Sequence, residues 1–339
     1  MTFRVICCDG GGIRGLVSAL LIKDLDECYG VIGKAEGFVG TSTGGIIALG
    51  LAAGVPIDTI VDVYMTKGAK IFETNGLLVS DDNDVVLRMR GSGADEELQS
   101  GPGLFSCQYT NKGLIEVVRS IVGEMSLKDA KVSYVGVNTA RLHDPNTGSW
   151  QPVVLSNAKD SPYQKVAMLD AALATSAAPT YFPPYQIQGL GYFADGGVFA
   201  NNPSLAAITD LTRQGGASLS DISMLSLGTG STSTSIEDSA IGNPLSWGAA
   251  KWLGIRPWAG KNVPKAALVS LTMDSTATLS TYAAQQWLGD AFARANPVLQ
   301  EPFPLDDYEK VEELAEKTRA FMKTAEWADT KKWVEARWG

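Results

Sequence analysis

The stretch Phe38-Val-Gly-Thr-Ser-Thr-Gly-Gly-Ile-Ile-Ala-Leu49 holds the pattern Gly40-x-Ser42-x-Gly44. An apolar lead-in, Phe38 and Val39, reads as the end of a strand, and the apolar run from Ile46 to Ala53 reads as a buried helix. Glycines flanking Ser42 permit the sharp turn and close approach that such a join needs. A serine on that turn presents its Oγ at a helix N-terminus, where uncapped N–H groups favour negative charge. That is the setting of a serine nucleophile. Gly, Ser and Thr are common in turns generally, so the weight comes from the strand–turn–helix context rather than from the five residues alone.

A second glycine-rich turn, Asp9-Gly10-Gly11-Gly12-Ile13-Arg14-Gly15, follows the strand-like run Phe3–Cys8 and precedes a helical run from Leu16 to Leu25. Three successive glycines leave backbone N–H groups uncovered at a helix start, a nest suited to an anion or a developing oxyanion. Gly10, Gly12 and Gly15 also satisfy the Gly-x-Gly-x-x-Gly dinucleotide pattern. That reading wants an acid at the end of the second strand. Glu36 has near the right spacing but precedes that strand, whose end is taken by the Gly40–Gly44 turn. The context favours an oxyanion site, and dinucleotide binding ranks last.

Ser42 needs a base. The chain has one histidine, His143, in a polar turn that reads as solvated surface. The alternative is a carboxylate, and Asp195 follows a short apolar run and precedes two glycines. A carboxylate is a weak base for an alcohol unless partial desolvation raises its pKa. Amides of Gly11 and Gly12 would then face the tetrahedral oxyanion, each such donor being worth about 3–4 kcal/mol.

The elements that must position these residues alternate strand and helix. Helices are expected over Ile57–Ile71, Thr110–Val122, Tyr163–Thr175, from Asn202-Pro203 onward, Pro304–Lys323 and Glu326–Trp338; strands are expected within Ala130–Ala140, near Gln151–Leu155 and over Ile222–Leu227. This order predicts an α/β fold, a mostly parallel central sheet with helices on both faces, with ligands at the carboxyl ends of its strands. Gly10–Gly12, Ser42 and Asp195 each fall at such an end. Residues 1–230 read as the catalytic core and residues 231–339, rich in tryptophan, as a helical C-terminal part of the same domain. Residues 75–103, with Asp81, Asp82, Asp84, Asp95, Glu96 and Glu97, read as a solvated excursion in preference to a flap over the site. The segment Thr180-Tyr-Phe-Pro-Pro184 is too proline-rich for a helix and reads as packing or as a pocket wall.

Of 339 residues, 28 are basic and 37 acidic, a net charge of −9 without a basic run, which argues against a nucleic-acid polymer as partner and against charge-driven docking on anionic lipid. The start Met-Thr-Phe-Arg-Val-Ile runs straight into a strand, so no secretory signal is expected, and the apolar run from Gly44 to Val55 is too short to span a bilayer. Cys7, Cys8, Cys28 and Cys107 show no metal-ligand spacing and read as free thiols in a reducing, cytoplasmic setting. One histidine makes a metal site unexpected.

Asp9-Gly-Gly-Gly-Ile-Arg-Gly15, Gly40-Thr-Ser-Thr-Gly44 and Asp195-Gly-Gly197, in that order, resemble the motifs of the patatin-like phospholipase family. Ser176-Ala-Ala-Pro-Thr-Tyr-Phe-Pro-Pro184 adds a fourth block, and Gly228-Thr-Gly230 with Trp247-Gly248 extends the likeness over most of the chain. The resemblance implies a three-layer α/β/α fold and a Ser42–Asp195 dyad. It implies an oxyanion hole in Gly10, Gly11 and Gly12, with Arg14 orienting that loop or meeting phosphate. No metal and no cofactor are implied. The implied reaction is hydrolysis of fatty acyl esters of phospholipids or other glycerolipids, through transient contact of a cytoplasmic protein with a membrane surface. A storage or defence protein with incidental esterase activity is the competing reading. An effector switched on by a small molecule such as a cyclic nucleotide is a variant of the first, and a homo-oligomer stays open.

Overall fold

The computed structural model describes residues 2–73, 107–232, 235–255, 258–260, 262–264, 267–301 and 303–339. The acidic stretch 75–103 lies outside them. The core is a mixed eight-stranded sheet built from β1 (Phe3–Cys8), β2 (Gly37–Thr41), β3 (Tyr134–Arg141), β4 (Gln151–Ser156), β5 (Tyr185–Ile187), β6 (Gly191–Asp195), β7 (Ile222–Leu227) and, beyond a two-residue β8 (Ser231–Thr232) outside this sheet, β9 (Phe292–Ala295). The spatial order is β5-β6-β3-β2-β1-β7-β9, with β4 against β3. The pairs β3–β2, β2–β1, β1–β7 and β7–β9 are parallel; β4, β5 and β6 pair antiparallel.

β1 shows why the sheet is covered on both faces. Alternate side chains point oppositely along a strand. Ile6 and Cys8 pack with the helices Gly15–Tyr29, Thr43–Ala52 and Lys112–Val122, whereas Val5 and Cys7 pack with Ala207, Ile208 and Leu211 of the helix Ser204–Arg213 and with Ala284 and Leu288. The neighbouring thiols therefore belong to opposite layers. Trp327, Val334 and Trp338 of the helix Ala325–Trp338 are fully buried on the first side.

The register of β3 decides the site. β4 runs along one edge from Gly136 to Arg141. On the other edge β2 pairs as far as Thr41↔Asn138, and β6 takes over with Asp195↔Thr139. The turn that carries Ser42 away from the sheet thus vacates the register that the strand carrying Asp195 enters.

Several elements differ from expectation. The helix expected from Tyr163 begins at Met168, because Ala167 is extended and pairs with Ser126. The run Ile57–Ile71 breaks at Lys67 into two helices. The helix expected from Pro304 begins at Val311 after a single turn at Tyr308–Lys310, and Leu305 lies in the loop before it. The longest helix among the described residues, Ala267–Leu288, has no one-sided apolar pattern in the sequence and was not foreseen. The same is true of β9. Within the polar segment Ser231–Ser239, β8 pairs in parallel with Val298–Leu299, and Asp238 opens a helical turn.

Candidate active site

Ser42 has φ 55° and ψ −125°, a left-handed backbone that a residue with a side chain rarely adopts. Such an outlier persists only where its surroundings over-determine it, and it marks a functional turn. The close approach that imposes it is visible at the flanking glycines. A Cβ on Gly40 would lie 2.0 Å from the Gly44 carbonyl oxygen, and one on Gly44 would lie 2.1 Å from that of Cys8. The Ser42 N–H donates to Thr175 Oγ1 at 2.9 Å, and the Thr175 hydroxyl donates to the Asn138 carbonyl. The next hydroxyl, that of Thr43, is paired with Tyr64, which keeps it in the helix start and away from the attack.

Asp195 is 4 % exposed at the end of β6. Burial pushes its carboxyl up to about 7, against the opposing hydrogen bonds from the Ser42 hydroxyl and the Gly197 N–H, the latter at 2.7 Å. No basic side chain contributes. The two expected partners line the same pocket, and the carboxyl carries the raised basicity that proton abstraction from an alcohol requires. His143 is exposed and takes no part in the pocket lining.

The glycine turn lies beside them, and its three members are not equivalent. The Gly10 N–H donates to the Asn201 carbonyl at 3.0 Å, and the Gly10 carbonyl accepts from the Thr229 hydroxyl at 2.8 Å. Gly10 is thus spent on holding the turn, which corrects its expected part as an oxyanion donor. Gly11 and Gly12 line the pocket with Ser42, and among the described residues no acceptor takes either N–H. Gly12 has φ 58°, and a Cβ there would meet the Leu305 carbonyl oxygen at 2.1 Å. That carbonyl accepts the next N–H, from Ile13, at 2.7 Å.

Charged groups brace the turn from behind. Asp9, 3 % exposed, forms a forked pair with Arg294 at 2.6 and 3.1 Å, and Arg294 also donates to Ser226 Oγ at 2.8 Å. Burial raises the Asp9 carboxyl and the Arg294 guanidinium opposes that rise. Arg14 donates to the Gly11 carbonyl and, from Nη1, to the Gly230 carbonyl at 3.3 Å, a geometry that orients the loop. Glu36 accepts from the Arg4 N–H at the amino end of the strands, opposite the glycine turn, which removes the acid that dinucleotide binding would need.

A pocket opens on Ser42 and Asp195. Its wall is apolar, including Ile46, Phe72, Leu114, Val117, Tyr181 and Phe182, with Val269, Met273 and Leu305 from the C-terminal third. The proline-rich segment is indeed a wall. Ser176 Oγ lines the same space, buried and without a partner among the described residues. Sequence reading missed Thr175, Arg294, Met273 and Leu305 as parts of the site. Ser176 carried a signal, its place in the fourth matching block, but no assigned part. Among the described residues no cluster of His, Cys, Asp and Glu could hold a metal ion, and no helix is long and apolar enough to cross a membrane.

A serine on a strained elbow, a buried aspartate in the same pocket and a glycine nest, set at one end of a mostly parallel sheet, are the features of a class of acyl hydrolase. Comparison with known proteins agrees: the profile described as patatin-like phospholipase matches residues 6–208, which include Ser42 and Asp195. A cGAMP-activated phospholipase of Vibrio cholerae is 30 % identical over 305 residues, covering 85 % of this chain and 79 % of that protein. Protein teg of Priestia megaterium is 26 % identical over 87 % of each chain, and patatin-like protein 2 of Arabidopsis thaliana is 28 % identical over 74 % of this chain and 65 % of its own. The chain belongs to the patatin-like phospholipase family, and it is a lipid hydrolase.

Proposed function

We propose that the chain hydrolyses fatty acyl esters of glycerophospholipids as a serine hydrolase, with Ser42 as nucleophile and Asp195 as general base. The observation that carries this reading is that one pocket is lined by both the strained Ser42 and a carboxyl whose pKa burial raises to about 7. The acyl chain occupies the apolar pocket. Ser42 Oγ attacks the ester carbonyl carbon while Asp195 takes the hydroxyl proton, and the Gly11 and Gly12 N–H groups receive the oxyanion. Collapse of the tetrahedral intermediate expels the glycerol alkoxide, which leaves as the alcohol with the proton returned by Asp195. Water, deprotonated by the same carboxylate, then cleaves the acyl-serine to fatty acid and restores Ser42. The unpartnered Ser176 hydroxyl is available to the ester or glycerol oxygens. No step calls on a metal, so chelation with EDTA leaves the rate unchanged.

The site draws on residues at both ends of the chain, which supports treating residues 231–339 as part of one domain with the 1–230 core. Release of fatty acid from phosphatidylcholine by the wild type, and its loss in Ser42→Ala, tests the assignment. Equal release by both proteins would sink it. The name of the Vibrio cholerae relative favours a second layer, activation by a small molecule. Its test is the rate with and without cGAMP, and an unchanged rate counts against it.

A further inference from the structure

We propose that the Ser176 hydroxyl donates a hydrogen bond to the glycerol-side oxygen of the scissile ester and so assists the departing alcohol. This deepens the serine hydrolase reading and rests on it. Ser176 closes the helix Met168–Thr175 and is 6 % exposed, and its Oγ has no partner among the described residues. Other helical hydroxyls of the chain, those of Thr66, Thr209, Thr272 and Thr318, donate to the carbonyl four residues earlier. Ser176 does not. The Ala172 carbonyl takes its N–H at 3.1 Å, and the residue lines the pocket with its hydroxyl unspent. A buried hydroxyl left unpaired destabilises a fold, and each such group calls for an explanation.

The residues on either side of Ser176 fix where it stands. Thr175 Oγ1 accepts the Ser42 N–H at 2.9 Å, and the Ala177 carbonyl accepts the Asp195 N–H, also at 2.9 Å. A single residue separates the tether of the nucleophile from the tether of the base, and that residue is Ser176. The segment is held under strain: Thr180, four residues on, has φ 74°, which a β-branched residue avoids. Of the other hydroxyls lining the pocket, Thr43 and Tyr64 pair with each other, Ser42 attacks, and Tyr181 is only half-buried. One reacting atom still lacks a donor. The ester carbonyl oxygen has the Gly11 and Gly12 N–H groups, whereas the glycerol-side oxygen gathers negative charge as its bond to the acyl carbon breaks. A donor placed there acts more strongly in the transition state than on the bound ester. No bond to Ser176 forms or breaks. The electrons of the broken C–O bond stay on the glycerol oxygen, Asp195 returns the proton to it, and Ser176 keeps its own.

The experiment compares two esters of one acid, soluble dibutyrylphosphatidylcholine and p-nitrophenyl butyrate, through kcat/KM, which covers the steps up to acylation for both. p-Nitrophenolate is a stable anion and leaves unaided, whereas the glycerol oxygen needs help. Ser176→Ala should lower kcat/KM on the phospholipid by roughly tenfold to a hundredfold, the effect of one hydrogen bond to a charged group. On the p-nitrophenyl ester the loss should be smaller by about tenfold. The melting temperature should stay level or rise, because an unpaired buried hydroxyl is removed. Equal losses on the two esters would overturn the proposal, since the hydroxyl would then serve the oxyanion or the fold. So would an undiminished rate on the phospholipid, or a Ser176→Ala protein that no longer folds. Ser42→Ala tells the two readings apart. If it keeps the wild-type rate on both esters, the catalytic reading fails and this inference with it. If it is inactive while Ser176→Ala loses equally on both esters, only this inference fails.

Discussion

The backbone N–H of Ser42 donates to the hydroxyl of Thr175, 2.9 Å away and 133 residues later in the chain. The Thr175 hydroxyl in turn donates to the Asn138 carbonyl, so Ser42 is tied through one side chain to the strand whose next residue, Thr139, stands opposite Asp195. Thr175→Val keeps the shape and removes the acceptor. Leaving a buried N–H unpaired costs about 1–3 kcal/mol. The expected result is a fall in kcat of roughly tenfold to a hundredfold with KM little changed, because positioning and not binding is lost, and Thr175→Ser should restore it. An unchanged kcat would show that the elbow holds itself.

The dyad makes its own demand. Ser42→Ala and Asp195→Asn should each reduce fatty acid release to background in a folded protein, while His143→Ala should retain full rate. Circular dichroism checks the fold in each case. A folded but inactive His143→Ala protein would move the base away from Asp195.

Asp195 must be ionised to accept a proton. With its carboxyl raised to about 7 by burial, kcat/KM should rise with pH and level off above an apparent value near 7. A profile already flat from pH 5 upward would contradict that assignment.

The same shift has a stability consequence of the opposite sense. The folded state binds this proton more tightly than the unfolded chain does, so protonation stabilises the fold. The contribution is fully present below the ordinary aspartate value of 3.8 and is lost as pH rises to about 7. Its full size is on the order of 4 kcal/mol at 1.36 kcal/mol per unit. Asp195→Asn should therefore raise the urea midpoint at pH 8 and change it little at pH 4. Equal effects at both values would remove the linkage.

Arg294 and Asp9 predict a loss. Arg294→Met leaves a buried carboxylate without its partner, at a cost of about 3–5 kcal/mol. Because Asp9 adjoins the glycine turn, activity should fall along with the denaturation midpoint. A variant with wild-type stability would mean that water reaches Asp9.

How much of this was legible in the sequence follows from what each residue had to do. Ser42, Asp195 and the glycines perform chemistry or adopt rare backbone shapes, so their types and spacing are distinctive, and β1 and β7 could be bounded to the residue from their apolar runs. Thr175 is an ordinary threonine at a helix end, and only the folded chain brings it to Ser42. Arg294 sits in a four-residue strand with no pattern of its own. Leu305 fitted the periodicity of the helix that follows, yet its carbonyl is needed by Ile13. The helix Ala267–Leu288 escaped because apolar residues on two sides erase the one-sided rhythm by which helices are read.

The brace on the glycine turn also sets a timetable. Ribosomal synthesis would deliver Ser42 and residues 10–12 early, but Arg294 and the Leu305 carbonyl more than 250 positions later. At bacterial or eukaryotic elongation rates that interval is on the order of 10–50 s. Through it the emerging chain would hold Ser42 without the brace on residues 10–12, and a lipid hydrolase would acquire its fixed glycine turn only near the end of its own manufacture.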